Sequence, residues 1–234
     1  MDIPPLPDHV ELLEGESKCA ACHRIGSGCC SDEIFMTLHD VLRVSQKTNI
    51  PVDDLVVFKK VSEDLSEANE DGVFEELYED GKILMLKQPH QDRYDELEAQ
   101  DVDFEEGDDY GACRFLNKEG CSIFDQRPRV CRLMPLWYEK DKNGEIKIFL
   151  DEETDPEKEF CLICKDNSGN LQGALKDLDE DLEDLKKYAK EYDEELEVYK
   201  KYKHHLGKKK PSEIIKDYDI KVQLTNCSIN GSSL

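Results

Sequence analysis

Nine of the ten cysteines in this chain fall into three groups, and those groups lie far apart in sequence. The first reads C-x2-C-x6-CC, at Cys19, Cys22, Cys29 and Cys30. The second is C-x7-C-x9-C, at Cys113, Cys121 and Cys131, and the third is C-x2-C, at Cys161 and Cys164. Two cysteines with two residues between them turn both thiolates toward one ion. A chain built this way is expected to fold by drawing three distant segments around sulfur-bound metal or an iron-sulfur centre.

The thiols are expected to serve metal rather than disulfides. The opening MDIPPLPDHV has neither a basic n-region nor an apolar h-region, and no run approaches the roughly 20 apolar residues that span a bilayer. These features predict a cytoplasmic protein, and a reducing compartment keeps thiols available to metal. With 234 residues there is length enough for one sizeable core, and a charged fraction of 37% leaves the surface very polar. The formal net charge of −24 argues against nucleic acid and against anionic membrane surfaces as partners. Acid is concentrated between Glu63 and Asp109, where 19 Asp or Glu residues face three basic ones. Such a run reads as a solvated insert, or as an acidic surface that docks a basic protein partner.

Local signals organise the rest. Pro4, Pro5 and Pro7 make residues 1–18 an irregular lead-in. Gly26 and Gly28 suit tight turns that return Cys29 and Cys30 toward Cys19 and Cys22. Thr37 stands as an N-cap before LHDVLRVSQKT, with Asp40 at the capping-box position, and a second helical stretch is expected over about Val52 to Val61. Neither helix carries the basic face that reading DNA requires. KILMLKQ from Lys82 predicts a strand. CRFL-NKEG-CSIF predicts a β-hairpin carrying Cys113 and Cys121, with Gly120 at the turn, and Pro128 and Pro135 bracket Cys131. LWYEKD, a KNG turn and EIKIFLDE predict a second hairpin.

Beyond Gly169, Leu171, Leu175, Leu178, Leu182, Leu185, Ala189, Tyr192, Leu196 and Tyr199 alternate four and three residues apart. This predicts a long charged helix ending at Gly207, about 54 Å if unbroken. Two readings fit it: a helix in one or two pieces folded over its own domain, or a coiled-coil arm offered to a protein partner. After Pro211 the residues suggest a short helix over SEIIKDY, a strand over IKVQL and a polar end. Cys227 in that strand stands outside the metal site.

Taken together, CAACHRIGSGCC, TLHDVLRV and CRFLNKEGCSIFDQRPRVCRLMP resemble the YkgJ or CxxCxxCC cysteine-cluster family, whose members are regarded as zinc- or iron-chelating. The likeness covers about residues 15 to 165. It implies eight metal-site cysteines, Cys19, Cys22, Cys29, Cys30, Cys113, Cys121, Cys131 and Cys161, with Cys164 as an addition. Six residues separate Cys22 from the double cysteine where the family's short form has two, which leaves Cys29, Cys30 and His23 as alternatives for one ligand position. In its cysteine region the family is similar to a flagellin lysine methylase group that needs an iron-sulfur cluster.

Nine thiols exceed the four that one tetrahedral zinc takes, and suit two sites or a cluster plus a zinc. Arg114, Arg127, Arg129 and Arg132 beside the second group either favour thiolates or pair with the protein's own acids. The fold class expected is α+β. A cysteine-rich metal-stapled domain spans 1–168, with 63–109 as its acidic insert, followed by the helix over 169–207 and a tail over 208–234. The functional expectation is a protein binding an iron-sulfur cluster, of the 4Fe-4S kind, in electron transfer or maturation of a larger complex. A zinc-stapled interaction scaffold and a protein-lysine methylase are the alternatives. No P-loop, no G-x-G-x-x-G and no H-E-x-x-H points to an enzyme class.

Overall fold

A computed structural model describes residues 12–18, 20–21, 34–60, 82–87, 113–117, 119–150, 167 and 170–230, with 222–230 described by backbone alone. Pro4, Pro5, Pro7, Gly26, Gly28 and the acidic run apart from 82–87 lie outside them. The architecture is α+β, with helices and, among the described residues, three separate antiparallel strand pairs. The chain divides into two compact units, one of residues Met1–Glu33 with Gln88–Lys190, the other of Ile34–Lys87 with Glu191–Leu234. No helix among the described residues is long and apolar enough to cross a membrane.

In the second unit, helix α1 (Leu38–Thr48) starts where the capping residues predict. The Thr37 hydroxyl accepts from the Asp40 amide at 3.0 Å, and Asn49 ends the helix in the left-handed region. Its inward face is Leu38, Val41 and Val44, together with Asp40, whose carboxylate takes the Arg43 guanidinium at 2.5 Å. Helix α2 is shorter than expected, Val52–Leu55, and the chain then becomes strand β1 (Val56–Lys60). The correction has a local cause and a distant one. Val56, Val57 and Phe58 are β-branched or aromatic, and they meet a partner in strand β2 (Lys82–Leu86), paired from Val56↔Leu86 to Lys60↔Lys82. The Met36 amide bonds the Leu84 carbonyl, and the Leu86 amide bonds the Ile34 carbonyl. Residues 34–36 thereby flank β2, and Ile83 to Leu86 are all buried.

In the first unit, β3 (Leu116–Asn117) and β4 (Gly120–Cys121) form the expected small hairpin, with Gly120 at φ +120°. Cys113 precedes the first arm rather than beginning it. A 3-10 turn over Phe124–Gln126 leads to helix α3 (Arg129–Leu133), and the Met134–Pro135 bond is cis. Strands β5 (Leu136–Lys140) and β6 (Ile146–Leu150) make the second hairpin as predicted. The Asp141 carboxylate gathers the amides of Glu145 and Asn143 across its turn, and these bonds, the Glu145 one first, hold its pKa below the ordinary carboxylate value.

The long helix is in two pieces. Helix α4 covers Leu171–Leu178 and helix α5 covers Leu182–Tyr202, continued by a 3-10 turn to His205. Asp179 at φ 54° ends α4, and the Asp181 side chain caps α5 through the amides of Glu183 and Asp184. The aspartates of DLDED are thus helix-boundary residues across which the heptad count ran on. The seam itself is buried at Leu175, Leu185, Ala189, Tyr192, Leu196 and Tyr199. The residue range of the first unit ends within α5 at Lys190.

Helix α6 runs unbroken over Pro211–Asn230 and replaces the expected strand over IKVQL. Pro211 at the first helical position is already shaped for a helix, and Ile214, Ile215 and Tyr218 fall on one buried face. That face packs on α1 and α2. Cys227 therefore lies within a helix.

Candidate metal centre

Three of the nine proposed ligands, Cys113, Cys121 and Cys131, are on described residues. Cys19, Cys22, Cys29, Cys30, Cys161 and Cys164, with His23, lie outside them. Cys113 is buried, whereas Cys121 and Cys131 are partly exposed. The Leu116 amide bonds the Cys113 carbonyl at 2.8 Å, and Leu116 pairs with Cys121 across β3 and β4. A turn followed by one cross-strand step keeps the Cα atoms of Cys113 and Cys121 within about 12 Å. Cys131 sits on α3 ten residues further on. Among the described residues no three His, Cys, Asp or Glu side chains group to hold a metal ion. The donors of the second group are all sulfur, a soft set that fits zinc or an iron-sulfur centre and not a hard cation such as calcium.

Residues that flank the cysteines show how the segments meet. Ser17, two positions before Cys19, caps its own turn by accepting from the Ala20 amide at 3.1 Å. Its hydroxyl would lie 3.4 Å from a Cβ on Gly120, the neighbour of Cys121. A larger residue than glycine at 120 would meet both that contact and an unfavourable φ. Lys18, next to Cys19, reaches Asp177 Oδ2 at 2.8 Å, and the Asn167 side-chain amide donates to the same oxygen at 2.9 Å. Asn167 is three residues beyond Cys164. The Lys18 bond, then the Asn167 bond, hold the Asp177 carboxyl below its ordinary pKa.

The arginines around Cys131 are engaged by the protein itself. Arg127 pairs with Glu180 at 2.5 Å, with both side chains about nine-tenths buried, and its guanidinium lies 3.8 Å from the centre of the Phe124 ring. Arg129 and Arg132 lie 5.6 Å and 4.6 Å from the ring centre of Tyr188 on α5, and Arg132 donates to the Asp125 carbonyl. Salt bridging within an acidic protein is therefore realised at Arg127. Stacking on Tyr188 has no counterpart in the sequence reading, since residues 129 and 188 carry no spacing signal that links them.

Ser17, Lys18, Asn167, Asp177, Glu180 and Tyr188 are the residues that spacing arguments missed. Only Gly120 carried a signal, as the turn glycine of the hairpin. Against known proteins, no curated protein and no solved structure matches this chain. A family model does: that of "CxxCxxCC: Putative zinc- or iron-chelating domain" matches residues 18–165, well over half of the sequence. The match takes in all nine grouped cysteines, and the chain belongs to the CxxCxxCC family of zinc- or iron-chelating domains.

Proposed function

We propose that this protein binds an iron-sulfur cluster through thiolates drawn from Cys19, Cys22, Cys29, Cys30, Cys113, Cys121, Cys131, Cys161 and Cys164, and that it serves as an electron-transfer or maturation partner of a larger protein. The observation that carries the reading is the meeting of residues flanking separate cysteine groups. The Ser17 hydroxyl stands 3.4 Å from where a Cβ on Gly120 would be, and Lys18 and Asn167 share one oxygen of Asp177. Lys18 and Asp177, 159 residues apart in sequence, are thereby joined, and this supports the reading that distant segments combine.

Thiol number favours a cluster over zinc alone. One zinc takes four sulfurs, so nine leave a surplus that a cluster with a second centre accommodates. A bound cluster would supply one-electron chemistry, which zinc cannot. The protein's own contribution is to hold the thiolates, and Arg114, Arg127, Arg129 and Arg132 add positive charge close to Cys113 and Cys131 in an otherwise acidic chain. Docking falls to the acidic surface and to the outward face of α5, where Glu183, Asp184, Lys187, Lys190, Glu194 and Glu197 are exposed. Its apolar seam is taken up inside the protein.

The test is metal and acid-labile sulfide analysis of the full chain purified without oxygen. Brown protein with iron and sulfide in near-equal amounts is the expected result. Colourless protein carrying zinc alone would overturn the cluster assignment and leave a zinc-stapled scaffold in its place.

A further inference from the structure

We propose that the turn between helices α5 and α6 is a binding site for a compact, multiply charged anion of the kind that adjacent phosphates carry, held by Lys60 and Lys82 together with Lys208, Lys209 and Lys210. The inference does not rest on the metal-binding reading, and every residue it uses belongs to the second unit.

Residues 198–212 hold six lysines and two histidines and no aspartate or glutamate, in a chain whose net charge is −24. The helix dipole accounts for the first of these. Lys200 and Lys201 stand in the last turn of α5, where cations offset its carbonyl end, and Lys200 also pairs with Glu197 at 2.7 Å. It does not account for Lys208, Lys209 and Lys210, which directly precede the first residue of α6, Pro211, and so crowd positive charge against the positive end of that helix. Lys60 and Lys82 are a second unfavourable arrangement, since like charges stand directly opposite each other across β1 and β2. Both placements cost stability, and a bound anion offsets both.

The structure brings the two sets together. The His205 carbonyl accepts from the Lys208 and Lys209 amides, both at 3.1 Å, and Leu206, 2% exposed, anchors the turn in the core. On the far side, the Lys210 amide donates to the Glu213 carboxylate at 3.1 Å, and Asp53 of α2 holds the Ser212 amide and hydroxyl at 2.9 and 2.7 Å. The Lys82 side chain crosses Gly207. A Cβ at 207 would stand 2.7 Å from Lys82 Cδ and 3.6 Å from its Nζ, and φ of +73° also suits glycine. Lys60 lies about 5 Å from Lys82 between Cα atoms, as antiparallel partners do. Among the described residues Lys60, Lys82, Lys209 and Lys210 form no ion pair. Desolvation first, then the charges of His204 and Lys209, hold the His205 pKa below its ordinary value, as positive charge concentrated here requires.

Charge and size select the class of ligand. Neither 198–212 nor the Lys60–Lys82 pair contains an arginine, whose planar fork suits carboxylates. Ammonium groups are point charges and favour the dense negative charge of phosphates. The patch is also short. Glu197 precedes Lys200, Glu213 follows Lys210 and Asp53 holds Ser212, so an extended polyanion would run onto acid.

The test is isothermal titration calorimetry of the full chain with sodium tripolyphosphate. The parent should bind saturably, and more weakly as salt rises from about 50 to about 300 mM. Lys60→Gln and Lys82→Gln should each weaken binding about two- to fivefold, and Lys208→Gln/Lys209→Gln/Lys210→Gln about tenfold. Lys147→Gln, in the first unit, should bind like the parent. In urea, Lys60→Gln and Lys82→Gln should be no less stable than the parent, because each removes a like-charge pair, so lost affinity cannot be laid to unfolding. Absence of saturable binding would overturn the proposal, as would parental affinity in Lys82→Gln or an equal loss in Lys147→Gln. Tighter binding of a single-stranded DNA of about 20 nucleotides than of tripolyphosphate would overturn it too, by making the patch part of an extended polyanion surface.

Discussion

The hydroxyl of Tyr199 accepts a hydrogen bond from the backbone amide of Leu84 at 2.9 Å, in a site where the tyrosine is wholly buried and its ring meets Phe35 edge-on at 5.1 Å. The ninth residue of the leucine–tyrosine register thus satisfies a donor of strand β2. Tyr199→Phe keeps the ring contacts but strands the Leu84 N–H. It should cost about 1–3 kcal/mol in urea unfolding followed by circular dichroism.

The same burial sets an alkaline limit on stability. Desolvation pushes the Tyr199 phenol well above its ordinary value, and Tyr218 is pushed up to about 12, also chiefly by burial. Both side chains keep their protons in the folded state when the unfolded chain has begun to lose them, near pH 10. Their raised values therefore contribute fully below about pH 10, and the contribution falls as pH rises beyond it. The parent should lose stability between about pH 10 and 12, with a shallower slope in Tyr199→Phe. Equal slopes in the two proteins would show that Tyr199 is not the group responsible.

Thr37 makes two bonds with one hydroxyl. It accepts from the Asp40 amide at the start of α1 and donates to Glu195 Oε2 at 2.6 Å, with no exposure of its own. Thr37→Ala removes a helix cap and leaves a carboxylate short of a donor, so a loss of about 2–3 kcal/mol is expected. Thr37→Ser keeps the hydroxyl and should recover most of it. A serine variant no more stable than alanine would place the effect in the methyl group's packing instead.

Features whose causes lie within a few residues were legible in the sequence, including the Thr37 cap, the Gly120 turn and the 136–150 hairpin with its Asn143-Gly144 turn. The misread elements are those where distant packing decides between local options. Val56 to Lys60 became a strand because β2 pairs with it, and Ile220 to Leu224 stayed helical because Ile214, Ile215 and Tyr218 bury one helix face. The break at Asp179 was locally encoded and was masked by an uninterrupted leucine register. The cysteine groups announced themselves by spacing. The side chains that hold their surroundings did not, because Lys18 and Asp177 are 159 residues apart and no periodicity links them.

The Arg127–Glu180 pair is the buried ion pair of the first unit among those described, with side chains 11% and 10% exposed. Its arginine also stacks on Phe124. Arg127→Ala leaves Glu180 charged and largely dry, so about 3–5 kcal/mol should be lost, whereas Arg127→Ala/Glu180→Ala should cost less than the two single changes added together. Additive losses in a double-mutant cycle would mean that the two side chains stabilise the unit independently.

Cys19 and Cys121 provide the sharpest check on a shared centre. The Ser17 hydroxyl stands where a Cβ on Gly120 would meet it at 3.4 Å, although Cys19 and Cys121 are about 100 residues apart in sequence. A serine hydroxyl is a poor soft donor, and each of Cys19→Ser and Cys121→Ser should lose most of one and the same metal on elemental analysis of oxygen-free protein. Cys227→Ser, in α6 of the second unit, should keep the parent's full content. If Cys19→Ser and Cys121→Ser instead deplete different metals, the first two groups serve separate centres, and the nearness of Ser17 to Gly120 relates two sites rather than building one.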